Sequence, residues 1–135
     1  MEIQPIREAL QATLVAANLG FQVYPRGDLN PDVPAAMIVP APFGPAETFD
    51  GEQNLRLWLT LIVSSNDIDG GQDDLDGWIS TSGTKSIKVA LDESHSLGDV
   101  VSSVLWAGID DYGPMQLSNG GTVYLATKCN IDILA

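Results

Sequence analysis

NLRLWLTLIVSS, Asn54 to Ser65, alternates along its whole length. Leu55, Leu57, Leu59, Leu61 and Val63 point one way; Arg56, Trp58, Thr60, Ile62 and Ser64 point the other. A period of two is the mark of a strand, because successive side chains leave opposite faces of the sheet. The first face is wholly apolar and the second partly so. The spacing therefore predicts a central strand, covered on one face and partly covered on the other.

The chain then changes period. QDDLDGWISTSGTKSIKVAL, Gln72 to Leu91, reads as two short helices joined by a Ser-Gly-Thr turn. Asp69 and Gln72 have capping-box spacing, with Asp69 as the cap of the first of these helices. Leu75, Trp78 and Ile79 form its buried face. Ser82 or Thr84 caps the next helix, which turns Ile87, Ala90 and Leu91 inward.

Towards the N-terminus, Ile3, Ile6, Leu10 and Leu14 recur at three and four residues, one face of an amphipathic helix. Pro5 fits its first turn, and Asn18 and Gly20 supply a stop. Phe21 to Tyr24 alternates as a short strand. Pro25 to Pro34 is rich in turn residues and reads as a loop. Met37, Ile38 and Val39 make a brief strand that Pro40 ends. Ala41 to Gln53, APFGPAETFDGEQ, is a second long loop. Its Phe43 and Phe49 either tuck back over the core or form an arm that packs on a neighbouring subunit; loops of this length are often functional.

Towards the C-terminus, Val100 to Ile109 is β-branched enough for a strand, and Asp110 to Pro114 reads as a turn. Met115 to Leu117 and Thr122 to Leu134 flank Ser-Asn-Gly-Gly, a hairpin signal. Val123, Leu125, Cys129, Ile131 and Ile133 share one face of the last strand. The predicted order is α-β-β-β-α-α-β-β-β with no domain boundary across residues 1–135. It predicts an α+β fold: a mainly antiparallel β-sheet with an N-terminal helix and two short consecutive helices packed on it.

Composition bounds the function. The chain has 135 residues, 44% hydrophobic and 18% charged, enough for one core and against intrinsic disorder. One cysteine, Cys129, excludes an internal disulfide and a Cys-based zinc site. No secretory signal opens the chain, and no apolar run approaches the length of a membrane span, so a soluble, cytosolic product is expected. Eighteen acidic residues stand against six basic ones, for a net charge of −12. Proteins that grip nucleic acid neutralise phosphates with Lys and Arg, which this chain cannot do over a large surface. The acidity serves solubility alone, or a surface that tolerates DNA nearby without holding it.

No residue set in the sequence suits catalysis. His95, the only histidine, lies in Asp92-Glu93-Ser94-His95-Ser96, where adjacent residues cannot converge into a triad. The acids from Asp67 to Asp76 fail the calcium-loop pattern. Counting from Asp67, positions five, six and twelve hold Gly71, Gln72 and Trp78 instead of an oxygen ligand, glycine and glutamate. Acids at a helix start are favoured by its dipole in any case. Gly70-Gly71 and Gly120-Gly121 belong to no phosphate-binding fingerprint. Arg26-Gly27-Asp28 is read as a turn and not as an adhesion tripeptide. Cys129 alternates inward as a small hydrophobe. Neither a metal nor a cofactor is expected, and no enzyme activity.

One string of residues carries a likeness. After the central strand come Gln72-Asp73, Leu75-Asp76-Gly77-Trp78-Ile79, Ser82-Gly83, Ser86-Ile87-Lys88 and Ala90-Leu91. A strand follows, then Tyr112-Gly113, then Gly121-Thr122-Val123-Tyr124-Leu125 opening the last strand. This string resembles the tail terminator proteins of long-tailed, siphovirus-type bacteriophages, particularly those of actinobacterial hosts. The likeness runs from about Asn54 to the C-terminus and fits the N-terminal helix more loosely; the loop from Ala41 to Gln53 departs from it.

The resemblance implies an α+β protomer that assembles into a homohexameric ring. Such a ring caps the head-proximal end of the tail tube, stops its polymerisation and joins the tail to the head-completion, or stopper, protein. DNA passes through the lumen without specific binding, and no membrane is involved. The protein is then a structural virion protein of the tail and neck, made in the host cytoplasm. Phe43, Phe49 and Trp58 are the candidate contacts to other subunits or to the tube. The family has no catalytic residues to carry over. Two other readings share the composition: another neck or head–tail joining protein, and an acidic DNA mimic that blocks a DNA-binding enzyme as a monomer or dimer.

Overall fold

The computed structural model describes residues 3–24, 33–40, 54–64, 68–94, 96–97, 101, 103–116 and 122–134. Helix α1 runs Ile3–Ala17, β1 Gln22–Tyr24, β2 Ala35–Pro40 and β3 Asn54–Ser64. Then come α2 Ile68–Ile79, α3 Ile87–Glu93, β4 Ser103–Gln116 and β5 Val123–Leu134. The five strands form one sheet in the order β1-β2-β3-β5-β4. Only the β1–β2 pair is parallel; the other three pairs are antiparallel. The fold is α+β, with the N-terminal helix and the two consecutive helices that the sequence predicts.

β3 stands in the middle of the sheet. Leu57, Leu59 and Leu61 are completely buried and Val63 nearly so. They share one core with Ile6, Leu10 and Leu14 of α1, Leu75 and Trp78 of α2, and Ile87 and Leu91 of α3. From β5 the same core takes Leu125, Cys129, Ile131 and Ile133. Val123, expected on this face, is 43% exposed; it lies at the turn end of the hairpin, opposite Gln116.

The helix ends follow from local chemistry. α1 stops where Asn18 and Gly20 take positive φ, 53° and 98°, a region open to asparagine and glycine. Leu19, just past that stop, gives its carbonyl to the indole N–H of Trp78 at 2.8 Å. Phe21 meets the Trp78 ring edge-on, with centroids 5.0 Å apart. One tryptophan therefore ties the end of α1 to α2, and the indole N–H, costly to bury alone, is satisfied.

Three expectations are corrected. Asp69 is not the cap of α2: the helix already includes Ile68, and Asp69 sits in its first turn, where a carboxylate suits the dipole. Neither Ser82 nor Thr84 caps α3. Ser86 does, accepting from the Val89 N–H at 3.3 Å while its own hydroxyl donates to the Ser80 carbonyl. The turn expected at Asp110–Pro114 does not form. Those residues continue β4 and pair with β5, Asp111 opposite Lys128 and Pro114 opposite Leu125. The strand absorbs the irregular composition through register shifts between Trp106 and Asp111, with Gly108 at φ 85°.

Phe43, Phe49 and the whole loop 41–53 lie outside the described residues, as do residues 25–32, Asp67, His95 and the Ser-Asn-Gly-Gly turn. The hairpin that turn was expected to join is present as β4 and β5.

Candidate functional site

The two faces of the sheet differ. All three helices contribute to the core on the first face. The second face has its own smaller cluster, Met37, Ile62, Tyr124 and Ala126, joined by Tyr24, Val33 and Met115 and by no helical residue. Trp58 lies on this second face because it alternates with Leu57 and Leu59.

Register sets what surrounds Trp58. Val39 on β2 and Asn130 on β5 stand opposite it. The next row is Met37, Thr60, Lys128 and Asp111, running across β2, β3, β5 and β4. The indole N–H donates to Asn130 Oδ1 at 3.1 Å. Lys128 Nζ lies 4.5 Å from the ring centroid, within cation–π range, an interaction that stabilises an exposed pair by about 0.5–1 kcal/mol. Arg56, in the row on the other side of Trp58, grips Asp132 with two parallel bonds, Nε to Oδ1 at 2.6 Å and the second guanidinium nitrogen to Oδ2 at 3.0 Å. Both members of that pair are solvated, so it holds side chains in place more than it stabilises the fold.

A concavity of about 450 Å³ opens beside this row, lined by Met37, Val39, Trp58, Thr60, Met115 and Lys128 among others. Its chemistry is that of a contact surface. A half-buried tryptophan held at both its N–H and its ring face cannot reorient freely, and rigid aromatics of this kind anchor protein interfaces. Two methionines beside it adapt to an incoming shape.

The acids of α2 form a separate feature. Lys85 Nζ stands 3.7 Å from Asp74, with both side chains well exposed. The Tyr112 hydroxyl on β4 donates to Asp76 Oδ1 at 3.1 Å. Burial raises the pKa of the phenol above the usual tyrosine value, and the hydrogen bond and negative charge of Asp76, with the charge of Asp73, push it the same way. Among the described residues no group of His, Cys, Asp and Glu is arranged to hold a metal. Cys129 is buried in the core, and desolvation drives its thiol pKa up, which leaves it unreactive. No described helix is long and apolar enough to cross a membrane.

Of the three candidate contacts, only Trp58 falls within the described residues. Sequence reasoning missed its partners Lys128 and Asn130. They flank inward-facing Cys129 on the last strand, so their shared face was legible; that they stand against Trp58 depends on the β3–β5 register. No protein-family model matches the chain, and a search of curated proteins finds no match either.

Proposed function

We propose that this chain is a tail terminator: a structural protein whose copies form a homohexameric ring on the head-proximal end of a long-tailed phage's tail tube. The carrying observation is the string of spaced residues from Gln72 to Leu125 that resembles such proteins. The described part of that string lies on α2, the turn after it, α3, β4 and the start of β5, which follow one another along the chain.

The proposed work is contact. A ring with one face matched to the tube and the other to the head-completion protein ends growth, because the next tube subunit meets no copy of its own docking surface. Trp58 and the concavity beside it are the proposed contact to a neighbouring subunit or to the tube. The charge of −12 per chain supports a lumen that repels phosphate and lets DNA slide. Screening limits each exposed charge to about 8 Å at physiological salt, so only carboxylates on the lumen wall contribute.

Deleting the gene from its phage tests the reading. The expected result is filled heads without attached tails, together with tail tubes of irregular and often excessive length. Tails of normal length joined normally to heads would overturn it. A mass measurement on purified protein, alone and with tail tubes, separates a ring from the monomer or dimer expected of a DNA mimic.

A further inference from the structure

We infer that the cleft beside Trp58 receives the outer face of α1 from a second copy of this chain, in a head-to-tail contact. The inference rests on the ring reading and decides between the two uses proposed above for the cleft. α1 buries Ile6, Leu10 and Leu14 and turns Glu8, Ala12, Val15 and Ala16 to solvent. A surface helix ordinarily carries polar residues opposite its buried stripe. Here Ala12, Val15 and Ala16 leave that side apolar over its second half. Val15 is 59% exposed, the most exposed large hydrophobic among the described residues. Glu8, one turn before Ala12, adds a single negative charge, and Gln4 Nε2 donates to its Oε1 at 3.1 Å.

The cleft supplies the complement. Met37, Val39, Trp58 and Met115 line it with apolar surface, and Lys128 stands at their side. Arg56, Lys85 and Lys88 are paired with carboxylates, whereas Lys128 has the Trp58 ring and no ion pair among the described residues. Asp111, in the row of Lys128, already accepts from the Tyr112 N–H. The spans agree. Glu8 to Val15 covers about 10 Å of helix, and Lys128 to Tyr124, which stands opposite Met115, about 13 Å of strand. Glu8 on Lys128 therefore sets Val15 towards Met115. The exposed side of α2 fits less well, since Asp69, Gln72, Asp73 and Asp76 offer acids without an apolar neighbour. The outer side of α1 and the helix-free face of the sheet lie on opposite sides of the protomer. A contact between them is heterologous, the kind that closes into a ring.

The test is sedentation of the full chain and its variants, with circular dichroism to show that each is folded. The parent should self-associate as concentration rises. Val15→Lys disables the helix side and Trp58→Ala the cleft, and each variant alone should be a monomer. Mixed, they should form a one-to-one dimer and go no further, because one intact helix side meets one intact cleft. A contact between identical surfaces would give no such rescue. Should Trp58→Ala fail to fold, the charge pair carries the test. Glu8→Lys and Lys128→Glu should each weaken self-association about fivefold, and the double variant should return to within about twofold of the parent. A parent that stays monomeric at about 1 mM, a mixture that stays monomeric, or a double variant no better than the singles would each overturn the inference. Self-association untouched by Val15→Lys would do the same, and would leave the ring reading in place with other contacts. Tail length in the deletion phage decides the capping reading separately.

Discussion

Leu59 is the place to break this fold. It is fully buried at the centre of β3, with Ile38 of β2 and Cys129 of β5 directly opposite and Leu57 and Leu61 on the same face. Strands on both sides are hydrogen-bonded to β3, so the backbone cannot close over a missing side chain. Leu59→Ala should therefore fall in the middle or upper part of the usual core range, about 4 kcal/mol. For a chain of this size that lowers the melting temperature by about 10–20 °C and leaves a folded protein. Leu59→Asp adds a second cost. A carboxyl in that site stays protonated, and holding it neutral at pH 7 against an ordinary value near 3.9 costs about 4 kcal/mol more. The total, about 8 kcal/mol, is comparable to the whole stability of a domain, commonly about 5–15 kcal/mol. Leu59→Asp should be unfolded or insoluble. Asp74→Asn is the control: its ion pair with Lys85 is long and solvated, so the change should stay within about 0.5 kcal/mol. Circular-dichroism melts and urea titrations measure all three. A soluble Leu59→Asp protein with a cooperative melt near that of the parent would refute the burial of this face.

Trp78→Phe leaves the Leu19 carbonyl without its indole partner and should cost about 1–3 kcal/mol, read by urea unfolding. Ser86→Ala removes the α3 cap and should cost about 1 kcal/mol, with faster hydrogen exchange confined to the first turn of α3. The raised pKa of Tyr112 means that the folded state holds the phenolic proton more tightly than the unfolded chain. Its contribution is complete below the ordinary tyrosine value of about 10 and is lost as pH rises through the higher folded value. Tyr112→Phe should flatten the alkaline limb of a stability-against-pH curve; an unchanged limb would contradict the bond to Asp76.

Where burial alone sets the structure, the sequence is readable. The alternation of Leu57, Leu59, Leu61 and Val63 and the spacing of Ile6, Leu10 and Leu14 both place side chains on the face that is in fact buried. β4 was misread because its local signals and its tertiary pairing disagree. Asp-Asp-Tyr-Gly-Pro has the composition of a turn, but β5 offers it a ladder. An edge strand also tolerates a proline, since one of its sides needs no donors. The cap of α3 was misplaced because three hydroxyls, Ser82, Thr84 and Ser86, precede the helix, and only the path of the turn decides among them. At the candidate site, Trp58 was legible as a large side chain on the half-covered face. Its partners were not, because Lys128 and Asn130 lie some seventy residues away and meet it only through the β3–β5 register.

The strand order has a consequence for how the chain is made. β5, the last of the described strands in chain order, lies between β3 and β4, both of which precede it. A nascent chain leaving the ribosome can form α1 and pair β2 with β3. β4, however, emerges with no strand to join, and the shared core lacks Cys129, Ile131 and Ile133 until residues 123–134 are out. Closing the sheet is then an insertion between two waiting edges, one of them more than sixty residues back along the chain, a non-local step of the kind that folds slowly. During that interval the inner edge of β4 and the far edge of β3 are both open, and the chain's net charge of −12 opposes association with neighbouring copies on the polysome.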